Sequence, residues 1–140
     1  KCYKEKVMAK GKNIKGKAKK KKKISVPVGR LFVTSTYNNT VITLSDENGN
    51  VLSWSSGGHI GYKGARKATA FSAQQAAEKL IELALNQFQM KKLSILSKGP
   101  GLGREPVIRS FQGSPIEVTS IKDVTPRPHN GTRDRSIKRK

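Results

Sequence analysis

The stretch LSKGPGLGREP, residues 96–106, sets Gly99, Gly101 and Gly103 at alternate positions between an apolar run and a helix start. Glycines so placed let backbone amides approach a phosphate closely, as in many nucleotide-binding loops. Two specific motifs fail, however. A Walker loop needs Lys and then Ser or Thr after its second glycine, but Arg104 and Glu105 follow Gly103. A dinucleotide fingerprint needs a glycine three places beyond Gly101, where Arg104 stands. What remains is a generic anion site of amides with Lys98 and Arg104, or a tight strand-to-helix turn that requires small residues. Asp46, Glu78, Glu82, Glu105, Glu117 and Asp123 could supply carboxylates for two-metal nuclease chemistry. Glu78 and Glu82 fall on the water-facing side of an expected helix and Asp46 opens a turn, so ordinary surface acids explain them better. His59 and His129 lie in Gly- or Pro-rich loops without a companion cysteine or a helical His pair, which argues for hydrogen bonding or stacking over metal binding. The expectation is a chain with no catalytic residues, no metal and no cofactor.

Bulk charge points to a polyanion. The 140-residue chain carries 29 Lys and Arg against 9 Asp and Glu, a formal charge of +20. An excess of that size favours nucleic acid, whose condensed counterions are released on binding. The charge is concentrated at the ends. Residues 1–30 hold 13 basic side chains and one acid, residues 127–140 hold six and one, and the long middle, 31–126, holds ten and seven. Three parts are therefore expected: a basic N-terminal extension over 1–28 containing KGKAKKKKK, a globular body over 29–125, and an extended basic tail over 126–140. Such lysine-rich ends bury too little apolar surface to offset their ordering entropy, so they should order only against a polyanion. The lone Cys2 excludes an internal disulfide or a cysteine-based zinc site, and no apolar run is long enough for a membrane helix.

Alternation and turn chemistry organise the body. RLFVTSTY (30–37) and TVITLSD (40–46) are β-branched and alternating, and Asn38-Asn39 between them tolerates turn and left-handed geometry, so the two should pair as a hairpin. The Asn-Gly signal in DENGN (46–50) leads to a third antiparallel strand, VLSWSS (51–56). SGGHIGYKGARKAT (56–69) is Gly-rich and basic, with neither helix nor strand period. Thr69 can cap a helix to about Phe88, with Phe71, Ala73, Ala76, Ala77, Leu80, Ile81, Ala84, Leu85 and Phe88 on its apolar positions. KKLSILS (91–97) reads as a strand, REPVIRSFQ (104–112) as a short helix stopped at Gly113, and PIEVTSIKDVT (115–125) as a last strand. This order predicts an α/β fold: a mixed five-stranded sheet with two helices, its later strands parallel and its crossovers right-handed.

Four segments, STYNNTVITLSDENGNVLSWSSGG, GYKGARKATAFSAQQAAE, KGPGLGRE and VTSIKDVTPRPHNGTR, span about residues 29–133 in one order. Together they closely resemble the family of the eleventh protein of the small ribosomal subunit, of the bacterial and organellar type. The resemblance implies a three-layer, ribonuclease-H-like α/β/α fold without that fold's catalytic carboxylates, placed on the platform of the small subunit. It further implies a protein that bridges small-subunit rRNA helices and helps line the cleft where mRNA leaves, near the Shine-Dalgarno duplex. The seventh and eighteenth small-subunit proteins would be its neighbours. On that placement Tyr37, Asn38 and Asn39 offer a ring and amides to unpaired bases, and Trp54 with Ser55 and Ser56 leads into the next basic loop. Core packing is the other reading of Trp54. Lys63, Arg66 and Lys67 are expected at phosphates, with Gly57, Gly58, Gly61 and Gly64 admitting the backbone. Lys98, Gly99, Gly101, Gly103 and Arg104 form a second cradle. Arg127, His129, Asn130 and Arg133 follow prolines that hold the tail extended between RNA helices, while Arg109 could simply pair with Glu105 on its own helix.

Both ends depart from the family pattern. Thr132-Arg133-Asp134-Arg135-Ser136 stands where the family usually has Cys-Arg-Pro-Pro, and seven residues precede a family-like Met8-Ala9-Lys10. These departures favour a mitochondrial ribosome over a plastid or bacterial one. Asn130-Gly131 adds a chemical expectation, because glycine leaves the asparagine unhindered to cyclise to isoaspartate. The competing classes are a sheet nuclease and a free-standing RNA chaperone or DNA compactor.

Overall fold

A computed structural model describes residues 25–133. The lysine run at 15–23, Cys2, Met8 and the divergent end from Asp134 lie outside the described residues. Within them the chain runs β1 (Val28–Ser35), β2 (Thr40–Asp46), β3 (Val51–Ser56), α1 (Ala70–Asn86), β4 (Lys92–Lys98), α2 (Arg104–Gln112) and β5 (Glu117–Asp123). The strands form one mixed sheet in the order β3-β2-β1-β4-β5. β2 is antiparallel to both neighbours, whereas β1, β4 and β5 are parallel. In the basic stretch after β3, where no period is visible, Gly64–Ala68 forms a single 3-10 turn.

Alternation along β1 sets the two faces of the sheet. Leu31 and Val33 are fully buried together with Ile42, Leu44, Leu93 and Ile95, and they meet Ala73, Ala76, Ala77 and Leu80 of α1 and Val107 and Phe111 of α2. Each large apolar side chain so buried contributes about 1.5–3 kcal/mol. The alanine stripe lets α1 lie close on the strands. Phe71, expected on that stripe, is 59% exposed. It sits two residues before Ala73, a step of about 200° that carries it to the other side of the helix. Thr69 caps α1 as expected, its hydroxyl accepting the Ser72 amide at 3.3 Å. The helix stops at Asn86, short of Phe88, and the chain leaves through Gln89 in a left-handed conformation (φ 51°) while Met90 N–H donates to the Ala84 carbonyl at 3.1 Å.

The expectation of three layers is corrected. α1 carries the chain from β3 to β4 and α2 from β4 to β5, both in the same direction across the sheet, so right-handed crossovers put both helices on one face. The two helices accordingly pack on each other as well as on the strands. Among the described residues the fold therefore has two layers and an open sheet face, on which Phe32 and Trp54 are exposed.

Candidate nucleic-acid interface

Strand direction brings the candidate residues together. β1, β3, β4 and β5 all run the same way, so their carboxyl ends, at Ser35, Ser56, Lys98 and Asp123, lie along one edge of the molecule. From that edge emerge the hairpin tip 36–39, the basic loop 57–69, the glycine loop 99–103 and the segment after Asp123. The carboxyl end of an open α/β sheet is where ligands of such folds generally bind.

The basic loop is anchored at its ends and also in its middle, where the Tyr62 hydroxyl donates to Gln75 Oε1 of α1 at 2.7 Å. Tyr62 N–H donates to the Gly57 carbonyl at 3.1 Å, and the Ser72 hydroxyl donates to the Lys67 carbonyl at 2.8 Å. Gly57 is buried, and a Cβ there would lie 3.0 Å from the Lys67 carbonyl oxygen, so this glycine serves close packing inside the loop. Lys63, Gly64 and Arg66 are exposed and Lys67 is half-buried. Lys63 and Arg66 line one side of an open recess of about 530 Å³ with Ile60, Gly61, Tyr62 and Gln75. Trp54 is 52% exposed, which removes the core reading, and its ring lies 5.0 Å from that of His59. Ser55 and Ser56 are buried, Ser55 entirely and with its hydroxyl unpartnered, so neither side chain presents itself at the surface. Gly58 is exposed beside them.

The glycine loop is closed from within. Gly99 (φ 98°) donates its amide to the Thr125 hydroxyl at 3.1 Å, and Gly101 donates to the Ser35 carbonyl at 3.1 Å. A Cβ at Gly99 or Gly101 would collide with Ser35, and one at Gly103 with the Thr40 hydroxyl, itself bonded to Ser35 Oγ at 3.0 Å. Of the two readings left open for this stretch, the geometry supports the tight turn: the amides of Gly99 and Gly101 hold the loop against the ends of β1 and β5. Arg104 is engaged inward too. It donates to the Gly99 carbonyl at 2.9 Å and the Ser97 hydroxyl at 3.3 Å, and forms an ion pair with the Asp123 carboxylate. Asp123 also accepts from the Thr125 hydroxyl and amide; these bonds, with that of Arg104, lower its pKa from the ordinary 3.8 to about 2. The Asp-Val-Thr sequence that builds this clasp falls in the stretch expected as the last strand, 115–125, whereas β5 ends at Asp123 and the chain turns there to set Thr125 against it. Lys98, Pro100 and Leu102 are the exposed side chains of the loop.

At the hairpin tip, Thr36 closes the turn through Asn39, with Thr36 N–H donating to the Asn39 carbonyl at 2.9 Å and Asn39 N–H to the Thr36 hydroxyl at 3.1 Å. Neither Asn38 nor Asn39 needs the left-handed conformation their type would tolerate; among the described non-glycine residues only Gln89 and Asn130 adopt it. Tyr37 is 77% exposed, Asn38 is exposed, and Asn39 has a buried, unpartnered Oδ1. Past β5 the chain is irregular, and Arg127, His129, Asn130 and Arg133 are all exposed.

The carboxylates do not converge. Asp46 lies at the opposite end of the sheet, where hydrogen bonds from Asn50, its side-chain amide foremost, hold it below the usual carboxylate range. Glu78 accepts from Gln74 at 2.9 Å, and Glu105 pairs with Arg109 at 3.3 Å as expected for neighbours on one helix. Among the described residues no three His, Cys, Asp or Glu side chains group together, and no helix is long and apolar enough to cross a membrane. Sequence reading passed over Phe32, exposed on the open sheet face, though its place between inward-facing Leu31 and Val33 was visible in the alternation.

Comparison with known proteins fits this arrangement. The family model described as ribosomal protein S11 matches residues 29–139. The small ribosomal subunit protein uS11 of Thermotoga maritima is 50% identical over 124 residues, covering 89% of this chain and 95% of that protein. A sheet with its basic loops gathered at one edge, and a match of this extent to a ribosomal protein, lead to one conclusion: the chain belongs to the ribosomal protein S11 family.

Proposed function

We propose that this protein is a structural constituent of the small ribosomal subunit platform, where it bridges small-subunit rRNA helices and helps form the cleft through which mRNA leaves. The observation that carries the reading is the gathering of four cation-bearing or aromatic loops at the carboxyl edge of the sheet. Tyr37, Asn38, Trp54, Gly58, Lys63, Gly64, Arg66, Lys67, Lys98, Arg127, His129, Asn130 and Arg133 supply the RNA contacts, with Asn39 at the hairpin turn. Ser55, Ser56, Gly57, Gly99, Gly101, Gly103 and Arg104 act behind them, fixing the loops that present those groups. The seventh and eighteenth small-subunit proteins are the proposed protein neighbours, and the strand order supports a ribonuclease-H-like description of the sheet. A mitochondrial ribosome is the proposed setting, supported by the divergence of the tail after Gly131.

Sedimentation tests the reading directly. The tagged chain should travel with small subunits through a sucrose gradient and remain with them at moderate salt. A chain found mainly at the top of the gradient would instead support a free-standing RNA chaperone. Cleavage of structured RNA by purified protein with Mg²⁺, above a buffer control, would turn the reading toward a nuclease.

A further inference from the structure

We propose that the open face of the sheet is a stacking surface for unpaired bases of single-stranded RNA, distinct from the loops that meet phosphates. The inference rests on the reading of the protein as an RNA binder. Direct pairing places Trp54, Thr43, Phe32, Leu96 and Lys122 in one row across all five strands, on the face away from the helices. Trp54 is 52% and Phe32 37% exposed, large aromatic rings at positions where a sheet covered on both sides would bury them. They stand two strands apart, about 10 Å, so each can take its own base.

The charge around this row identifies the occupant. Lys122 ends it, Arg30, Lys92 and Lys98 flank it, and Glu117, paired with Lys92 at 3.6 Å, is the one acid among the paired residues of this face. Rings flanked by cations suit bases flanked by phosphates. An apolar protein partner would have to bring its own acids, and the chain's first 24 residues carry 12 lysines and one acid, the same sign as the face. The face is continuous with the phosphate-binding edge, because Trp54 touches His59 of the basic loop and Lys98 starts the glycine loop. Paired bases in an RNA helix keep their faces stacked inside the duplex, so the surface selects single strands.

The chain contains a single tryptophan, so Trp54 reports on its own face. The full chain is titrated with a labelled oligouridine or oligoadenosine and with a blunt RNA duplex of equal length, reading RNA anisotropy and tryptophan emission together. Single strands should quench Trp54 and the duplex should bind without quenching. Phe32→Leu, which keeps the apolar volume, should weaken single-strand binding about tenfold and leave the duplex unchanged. Binding of both RNAs without quenching, or an unchanged single-strand affinity in Phe32→Leu, overturns the stacking surface while leaving RNA binding by the loops intact. Failure of both RNAs to bind overturns both readings, and binding of the duplex alone overturns the stacking surface. Photocrosslinking of Trp54 to protein instead of RNA in assembled small subunits would also reject the proposal, in favour of a protein partner.

Discussion

Arg104 has both terminal nitrogens of its guanidinium committed, one to the Gly99 carbonyl and the other to Ser97 and Asp123. Arg104→Ala should therefore lower Tm by a few degrees, because the turn loses its clasp, yet leave the salt dependence of RNA binding unchanged, since Arg104 is committed to Asp123 and not to a phosphate. Lys63→Gln makes the opposite prediction. Lys63 is exposed and forms no ion pair among the described residues, so its loss should cut the slope of log K against log salt by about 0.7–0.9 with stability intact. Asp123 carries a pH signature. Its folded pKa of about 2 lies below the ordinary 3.8, so the stability it contributes is complete above about pH 4 and is lost as pH falls through 2. Urea midpoints from pH 5 down to 2 should fall more for the wild type than for Asp123→Asn. Gly103→Ala should cost about 1–3 kcal/mol in chemical denaturation, the usual penalty for overpacking, because its Cβ has nowhere to go beside Thr40.

Elements were the most legible scale. The strands and helices follow from periods of two or three to four residues and, for β3, from the Asn-Gly turn before it, and α2 spans the residues its sequence predicts, Arg104–Gln112. Local chemistry explains this success: Thr69 can cap only the residues that follow it, and Thr69→Ala should cost about 1 kcal/mol in thermal or urea unfolding. The same substitution removes the bond from Thr69 Oγ1 to the Arg66 carbonyl at 2.8 Å, so it should also loosen the loop that presents Arg66. The misses are equally physical. Phe71 fits an apolar count but points away from the Ala73–Ala76–Ala77 stripe, and the helix ends early because Gln89 turns left-handed without a glycine to announce it.

At the scale of the whole molecule, function depends on where strands end. Four loops far apart in the chain act as one surface because β1, β3, β4 and β5 point the same way. Loop variants should therefore combine: Lys63→Gln with Lys98→Gln should reduce the salt slope by about twice the single amount, measured on one rRNA fragment. The sequence by itself determined the charge layout, the order of elements and the failure of both nucleotide motifs, since each depends on composition or on neighbours within a few residues, and the family, since four segments stand in one order along the chain. Only the tertiary structure decided that Arg104 faces inward to Asp123, that the glycines admit Ser35 and Thr40 where phosphate was expected, and that both helices share one face. Those outcomes depend on contacts between residues 19 to 66 positions apart, whose directions are set by strand register and crossover handedness, and neither is written in any local stretch of the chain.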